Sequence, residues 1–181
     1  MKKNSYMIKI ITTIICLLPI FVGIILYNKL PNEIPIHFNV NNIPDNYAPK
    51  NIALFVIPVA MTGLHLIIII LIRFMSKKVE KIPKMVNVMY WFTPVLTILL
   101  YVIMIIYALG YKISVGRYVC FVIGMLFCIL GNYMPKMSYE TAKNMMYPKP
   151  KNEKLYRKII RIYGYSFVLI GAILLTTMFF V

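Results

Sequence analysis

The sequence predicts an all-α, polytopic membrane protein: five transmembrane helices with a short extended, hairpin-like cap. Three observations carry this. Of 181 residues, 61% are hydrophobic, against roughly 45–50% in a soluble domain. Five uncharged apolar runs of 18 or more residues punctuate the chain, and a helix needs roughly 20 residues to cross the hydrocarbon core of a bilayer. The twenty lysines and arginines, against five acids, gather in the segments between those runs. A nucleic-acid-binding domain would instead present its basic residues on a mainly polar surface, so no direct nucleic-acid binding is expected.

The five runs are Ile10–Tyr27, Asn51–Ile72, Met85–Tyr111, Tyr118–Pro135 and Ile162–Val181. Lipid leaves backbone polar groups unsatisfied, so each run must be a helix. A β-barrel needs alternation, which the stretch Ile67 to Ile72 lacks. The first run follows Lys2 and Lys3 but lacks a small-residue cleavage site, so it reads as an uncleaved anchor. Only Lys29, Lys50, Lys112 and Arg117 of the twenty bases fall in the segments on one side. The positive-inside rule then places the N-terminus in the cytoplasm and the C-terminus outside. Three units follow: residues 1–51, the first span with its outer loop; 52–135, spans two to four; and 136–181, a basic cytoplasmic loop with the last span.

Within the spans, Pro19, Pro58 and Pro94 are expected to bend the first three helices. They serve either as ordinary bends or as hinges. Gly116, Cys120, Gly124 and Cys128 recur every four residues and predict a helix-packing face, with Gly164 and Gly171 as counterparts on the last helix. His65 stands deep in the second run. It is either a functional intramembrane group or a neutral ring bonded to a neighbouring helix. Tyr90, Trp91 and Phe92 read as an interfacial aromatic belt.

The chemistry is concentrated in the segment from Asn28 to Lys50. Its prolines make it non-helical. Ile34, Ile36, Phe38 and Val40 alternate with Pro35, His37, Asn39 and Asn41, which predicts an extended stretch with one apolar face. Asn41-Asn42 suits a tight turn, and Pro44-Asp45-Asn46 reads as a second one. Pro31, Glu33, Ile34, Pro35, His37, Phe38, Asn39, Pro44, Asp45 and Tyr47 are the candidate peptide-binding residues. Their polar members either recognise a partner or merely bond turn backbone. One histidine beside two acids lacks metal-site spacing, and no Cys-x-x-Cys or paired-acid motif occurs elsewhere. No metal, cofactor or enzymatic activity is therefore expected.

These residues carry a resemblance. Leu30-Pro31-x-x-Ile34-Pro35-x-His37-Phe38, followed by Pro44-Asp45 and Lys50, resembles the signature of a bacterial membrane domain of unknown function that opens the SdpI family of toxin-immunity proteins. Gly131-Asn132-x-x-Pro135-Lys136 resembles that family's motif at the end of its fourth helix, and Asn152-Glu153 opens a segment similar to the one before its next span. The chain departs from the pattern at Asn42 (commonly Gly), at Tyr47 (often Trp), in Met145–Pro150, which lacks the family's Arg and Trp, and at Ile160-Arg161, where the family has His-Arg. Relatives often carry a sixth span. The resemblance implies immunity against a secreted membrane-active peptide toxin, captured at the outer face. It also implies, as an alternative, signalling through a cytoplasmic repressor docked on Lys154, Arg157, Lys158 and Arg161. Those bases share a helix face beside Leu155, Ile159, Ile160 and Ile162, an amphipathic lead-in suited to anionic lipid. A small transporter or channel component is a further alternative.

Overall fold

The computed structural model describes residues 2–76, 84–145, 150 and 152–180. The expected basic loop at Lys77, Lys78 and Lys81, and the Tyr147-Pro148-Lys149 and Lys151 positions of the last loop, lie outside the described residues. The chain runs through α1 (Lys2–Leu26), a hairpin of β1 (Glu33–Phe38) and β2 (Pro44–Pro49), a π-helical turn at Ile52–Val56, then α2 (Ile57–Met75), α3 (Lys84–Ala108), α4 (Val115–Tyr133), a short α5 (Tyr139–Met145) and α6 (Glu153–Thr177). Five of these helices are long and apolar enough to cross a membrane.

The helices form two groups. α1, α2 and α3 pack against one another, α4 pairs along α6, and α3 joins the groups through α4. The hairpin sits at one end of the three-helix group, β1 against α3 and β2 against the π-helical turn. The opposite end carries the end of α2, the start of α3, α5 and the start of α6. Under the hairpin lies the main apolar cluster: Leu30, Ile34, Ala53, Leu54, Tyr101, Met104 and Ile105. A second cluster, Ile72, Val86 and Tyr90, closes the far end of the bundle. Tyr90 is therefore a core residue and not a member of an aromatic belt, whereas Trp91, one position on, is exposed.

Pro19 and Pro94 stand inside α1 and α3, as expected. Pro58 is accommodated by a change of helix type. It stands inside the continuous helical span Ile52–Met75, just after the π-helical turn, and in place of the N–H it lacks, the Tyr101 hydroxyl approaches the Leu54 carbonyl at 3.5 Å. Just beyond α3 stands Gly110, whose φ of +93° is open to glycine without strain. Its N–H donates to the Tyr107 carbonyl and that of Tyr111 to the Ile106 carbonyl.

The small-residue face of α4 is real but shifted. Gly124, Cys128 and Gly131 meet Gly164, Val168 and Gly171 of α6. A Cβ on Gly131 would lie 2.5 Å from the Gly164 carbonyl oxygen, so the two backbones touch. Gly116 is not part of this seam; it opens α4 beside the hairpin. The last helix is also longer than its apolar run. Asn152 caps it, its side chain accepting from Lys154 N and Leu155 N at 2.9 and 3.3 Å, and no breaker follows. The basic lead-in is thus the first turns of α6 and not a separate helix lying flat.

Candidate functional site

The candidate site is the hairpin, and its shape follows from its sequence. Register runs from Glu33 opposite Pro49 to Phe38 opposite Pro44, with bulges between Pro35 and His37 and between His37 and Phe38. A bulge inserts an unmatched residue and turns the following side chains. The expected single apolar face is therefore split: Ile34 and Pro35 are buried, Ile36 is exposed, and Val40 is 94% exposed at the tip. Pro44, Asp45 and Asn46 form the start of β2 and not a second turn. The one turn is made by Asn39 to Ile43. Asn39 Oδ1 accepts from the N–H of Asn41 at 2.9 Å and of Ile43 at 3.1 Å, and Asn42 takes a φ of +60°.

Three contacts hold the hairpin down. Ile34 is fully buried in the cluster beneath it. The Phe38 ring meets Tyr107 of α3 edge-on, with centroids 5.0 Å apart. Asn42 Oδ1 accepts from the Gly116 N–H of α4 at 2.7 Å. Only the first was legible in the chain. Tyr107 and Gly116 lie far along the sequence from their partners, and no spacing rule connects them. At the hairpin's base the Lys50 N–H donates to the Asn32 carbonyl at 2.8 Å, and its ammonium stands 4.5 Å from the Tyr27 ring centroid.

What remains outward is polar and aromatic. His37 Nδ1 and Asp45 Oδ1 pair across the strands at 2.5 Å, with side chains 67% and 42% exposed. Pro31, Glu33 and Tyr47 are exposed beside them. Beneath the hairpin a cleft of about 120 Å³ opens between Pro35 and Phe38 on one side and Met61, Tyr101 and Met104 on the other. Among the described residues no three His, Cys, Asp or Glu side chains could hold a metal ion.

The other candidate residues lie elsewhere. His65 is fully buried in the three-helix group, its Nε2 3.0 Å from Thr12 Oγ1 of α1. Gly131, Asn132, Pro135 and Lys136 close α4. Gly131 and Pro135 press against Gly164, and Lys136 donates to Asn132 Oδ1 at 3.0 Å while lying over the Tyr133 ring. That motif is a clasp between α4 and α6. Lys154, Arg157, Lys158 and Arg161 are exposed on the first turns of α6, where Arg157 donates Nε and Nη2 to Glu153 Oε1.

Five apolar helices capped by a hairpin define a multi-pass helical membrane protein. A domain of unknown function, DUF1648, matches residues 14–62, which span the second half of α1, the hairpin and the start of α2. The chain is 31% identical over 137 residues to the immunity protein SdpI of Bacillus subtilis (strain 168), an alignment covering 74% of this chain. This chain spans 60% of that relative's length. No solved structure matches significantly. Over that aligned stretch the chain is similar to SdpI.

Proposed function

We propose that the protein is an immunity protein: it protects its cell from a secreted, membrane-active peptide toxin, which the hairpin captures at the outer face. The supporting observation is a hairpin fixed at three points that still presents a row of unshielded groups. A fixed receptor loses little conformational entropy on binding. β2 pairs with β1 along one edge only, so the segment Asp45–Ala48, bracketed by Pro44 and Pro49, offers one short free edge to an extended peptide. The flanking prolines cannot donate, which limits pairing to that window and guards against self-association. His37, Asp45 and Tyr47 supply the side-chain contacts, and the cleft under Phe38 accepts an apolar side chain. The charge asymmetry supports a hairpin on the outside, where a secreted peptide arrives. A photo-crosslinking residue at Tyr47 is expected to trap the toxin peptide on intact cells; trapping only from the α6 end would refute capture by the hairpin.

The opposite end supports a second contact. Leu155, Ile159 and Ile162 are exposed between the bases of early α6, which fits an anionic lipid surface. A cytoplasmic repressor docked there would compete with that lipid. Removing charge at Lys154, Lys158 and Arg161 is expected to lower the enrichment of anionic lipid around the protein in mixed bilayers and to leave toxin protection intact.

A further inference from the structure

The three-helix group has an apolar outside and a polar seam inside. Thr12 and Cys16 of α1, Thr62 and His65 of α2, and Thr93 and Thr97 of α3 are all buried. Most of these groups are satisfied locally. Thr12, Thr62 and Thr97 donate to the Ile8, Pro58 and Thr93 carbonyls, each at 2.8 Å. Two atoms are not. Among the described residues, buried His65 Nδ1 and Thr93 Oγ1 have no hydrogen-bond partner.

Register places the two in one layer. Near one end Lys9 of α1 lies over the Tyr90 ring of α3, 5.5 Å from its centroid, and toward the other end Gly23 of α1 meets the Tyr101 hydroxyl of α3. Thr12 follows Lys9 by three residues, as Thr93 follows Tyr90. Thr12 and Thr93 therefore stand at one level, and His65, bonded to Thr12, stands with them. The proton assignment follows. The Thr12 hydroxyl donates to the Ile8 and Lys9 carbonyls at 2.8 and 3.0 Å, so it accepts from His65 Nε2–H. The neutral ring is left with a bare lone pair on Nδ1. Hydrocarbon surroundings make such an orphan expensive, about 1–3 kcal/mol for each group.

We propose that this layer is a binding site for a water molecule, which donates to His65 Nδ1 and bonds Thr93 Oγ1. Water suits the donor set: one imidazole lone pair and uncharged hydroxyls bind a neutral donor and leave a cation uncompensated. Toward the hairpin the seam continues through Thr97, which lines the cleft with Pro58 and Met61. At the other end Ile72, Val86 and Tyr90, with Ile8 and Ile68, seal it. The bound water joins α3 to a layer in which direct side-chain bonds connect α1 and α2.

The chain has two histidines, so ring-labelled histidine in the full protein gives two signals in bilayers, with exposed His37 as the internal reference. Solid-state NMR with polarisation transferred from water is expected to reach His65, in the Nε2–H tautomer with Nδ1 accepting. Thr93→Val is expected to lower the transferred His65 signal at least about twofold, a hydrogen-bond partner of the water having been removed, with the His37 signal unchanged. Absence of transfer to wild-type His65, or an Nδ1–H tautomer, would overturn the proposal without any use of the variant. A folded Thr93→Val protein with undiminished transfer would overturn it as well. None of these readouts depends on toxin capture.

Discussion

Asn42 holds two constraints at once: a left-handed backbone at the hairpin tip and the hydrogen bond from Gly116. Asn42→Gly removes only the bond and is expected to cost about 1 kcal/mol. Asn42→Ala adds the strain of a Cβ in that conformation, about 1–2 kcal/mol more. Thermal unfolding in detergent should rank the three proteins wild type, Gly, Ala; an alanine variant as stable as wild type contradicts the assignment. The turn itself was legible from Asn41-Asn42. The Gly116 contact was not, since helix starts bond many kinds of side chain and no periodicity names the partner. His37 and Asp45 behave oppositely. Their pair is exposed and screened, worth at most about 1 kcal/mol. His37→Ala is expected to leave the melting temperature nearly unchanged while lowering toxin capture. A large loss of stability would make the pair structural.

At the scale of elements, the spans were legible because lipid admits only long apolar helices. Their ends were less so. The run from Ile162 hid the true start of α6 because the first turns are amphipathic, and charge counts mark where a chain leaves hydrocarbon but not where a helix begins. The hairpin's two strands were visible as alternation with a turn, but a bulge shifts faces and leaves no mark in composition. The α4–α6 seam tests the element picture. Gly131→Leu forces a side chain against the Gly164 carbonyl, and overpacking of this kind costs about 1–3 kcal/mol. The variant should show faster proteolysis at the α4–α6 connection, with the hairpin still protected. Equal protection of both regions would mean that the two helix groups do not open separately.

The whole molecule joins a three-helix group, which carries the hairpin and the polar seam, to a helix pair that carries the basic end. That division could not be read from hydropathy, because which helices become neighbours depends on matched small residues and buried hydroxyls spread over the entire chain. It explains why residues 14–62 form a recognisable unit: the hairpin's deepest anchor, Ile34, lies within it, against Ala53 and Leu54. The central claim, toxin immunity through the hairpin, is tested most directly by survival. Sensitive cells expressing the chain, or its His37→Ala/Tyr47→Ala variant at equal membrane level, are challenged with the toxin peptide of a producing strain. The account predicts survival with the wild-type chain and death with the variant. Equal survival of both would remove the hairpin from the mechanism, and death of both would contradict the immunity function itself.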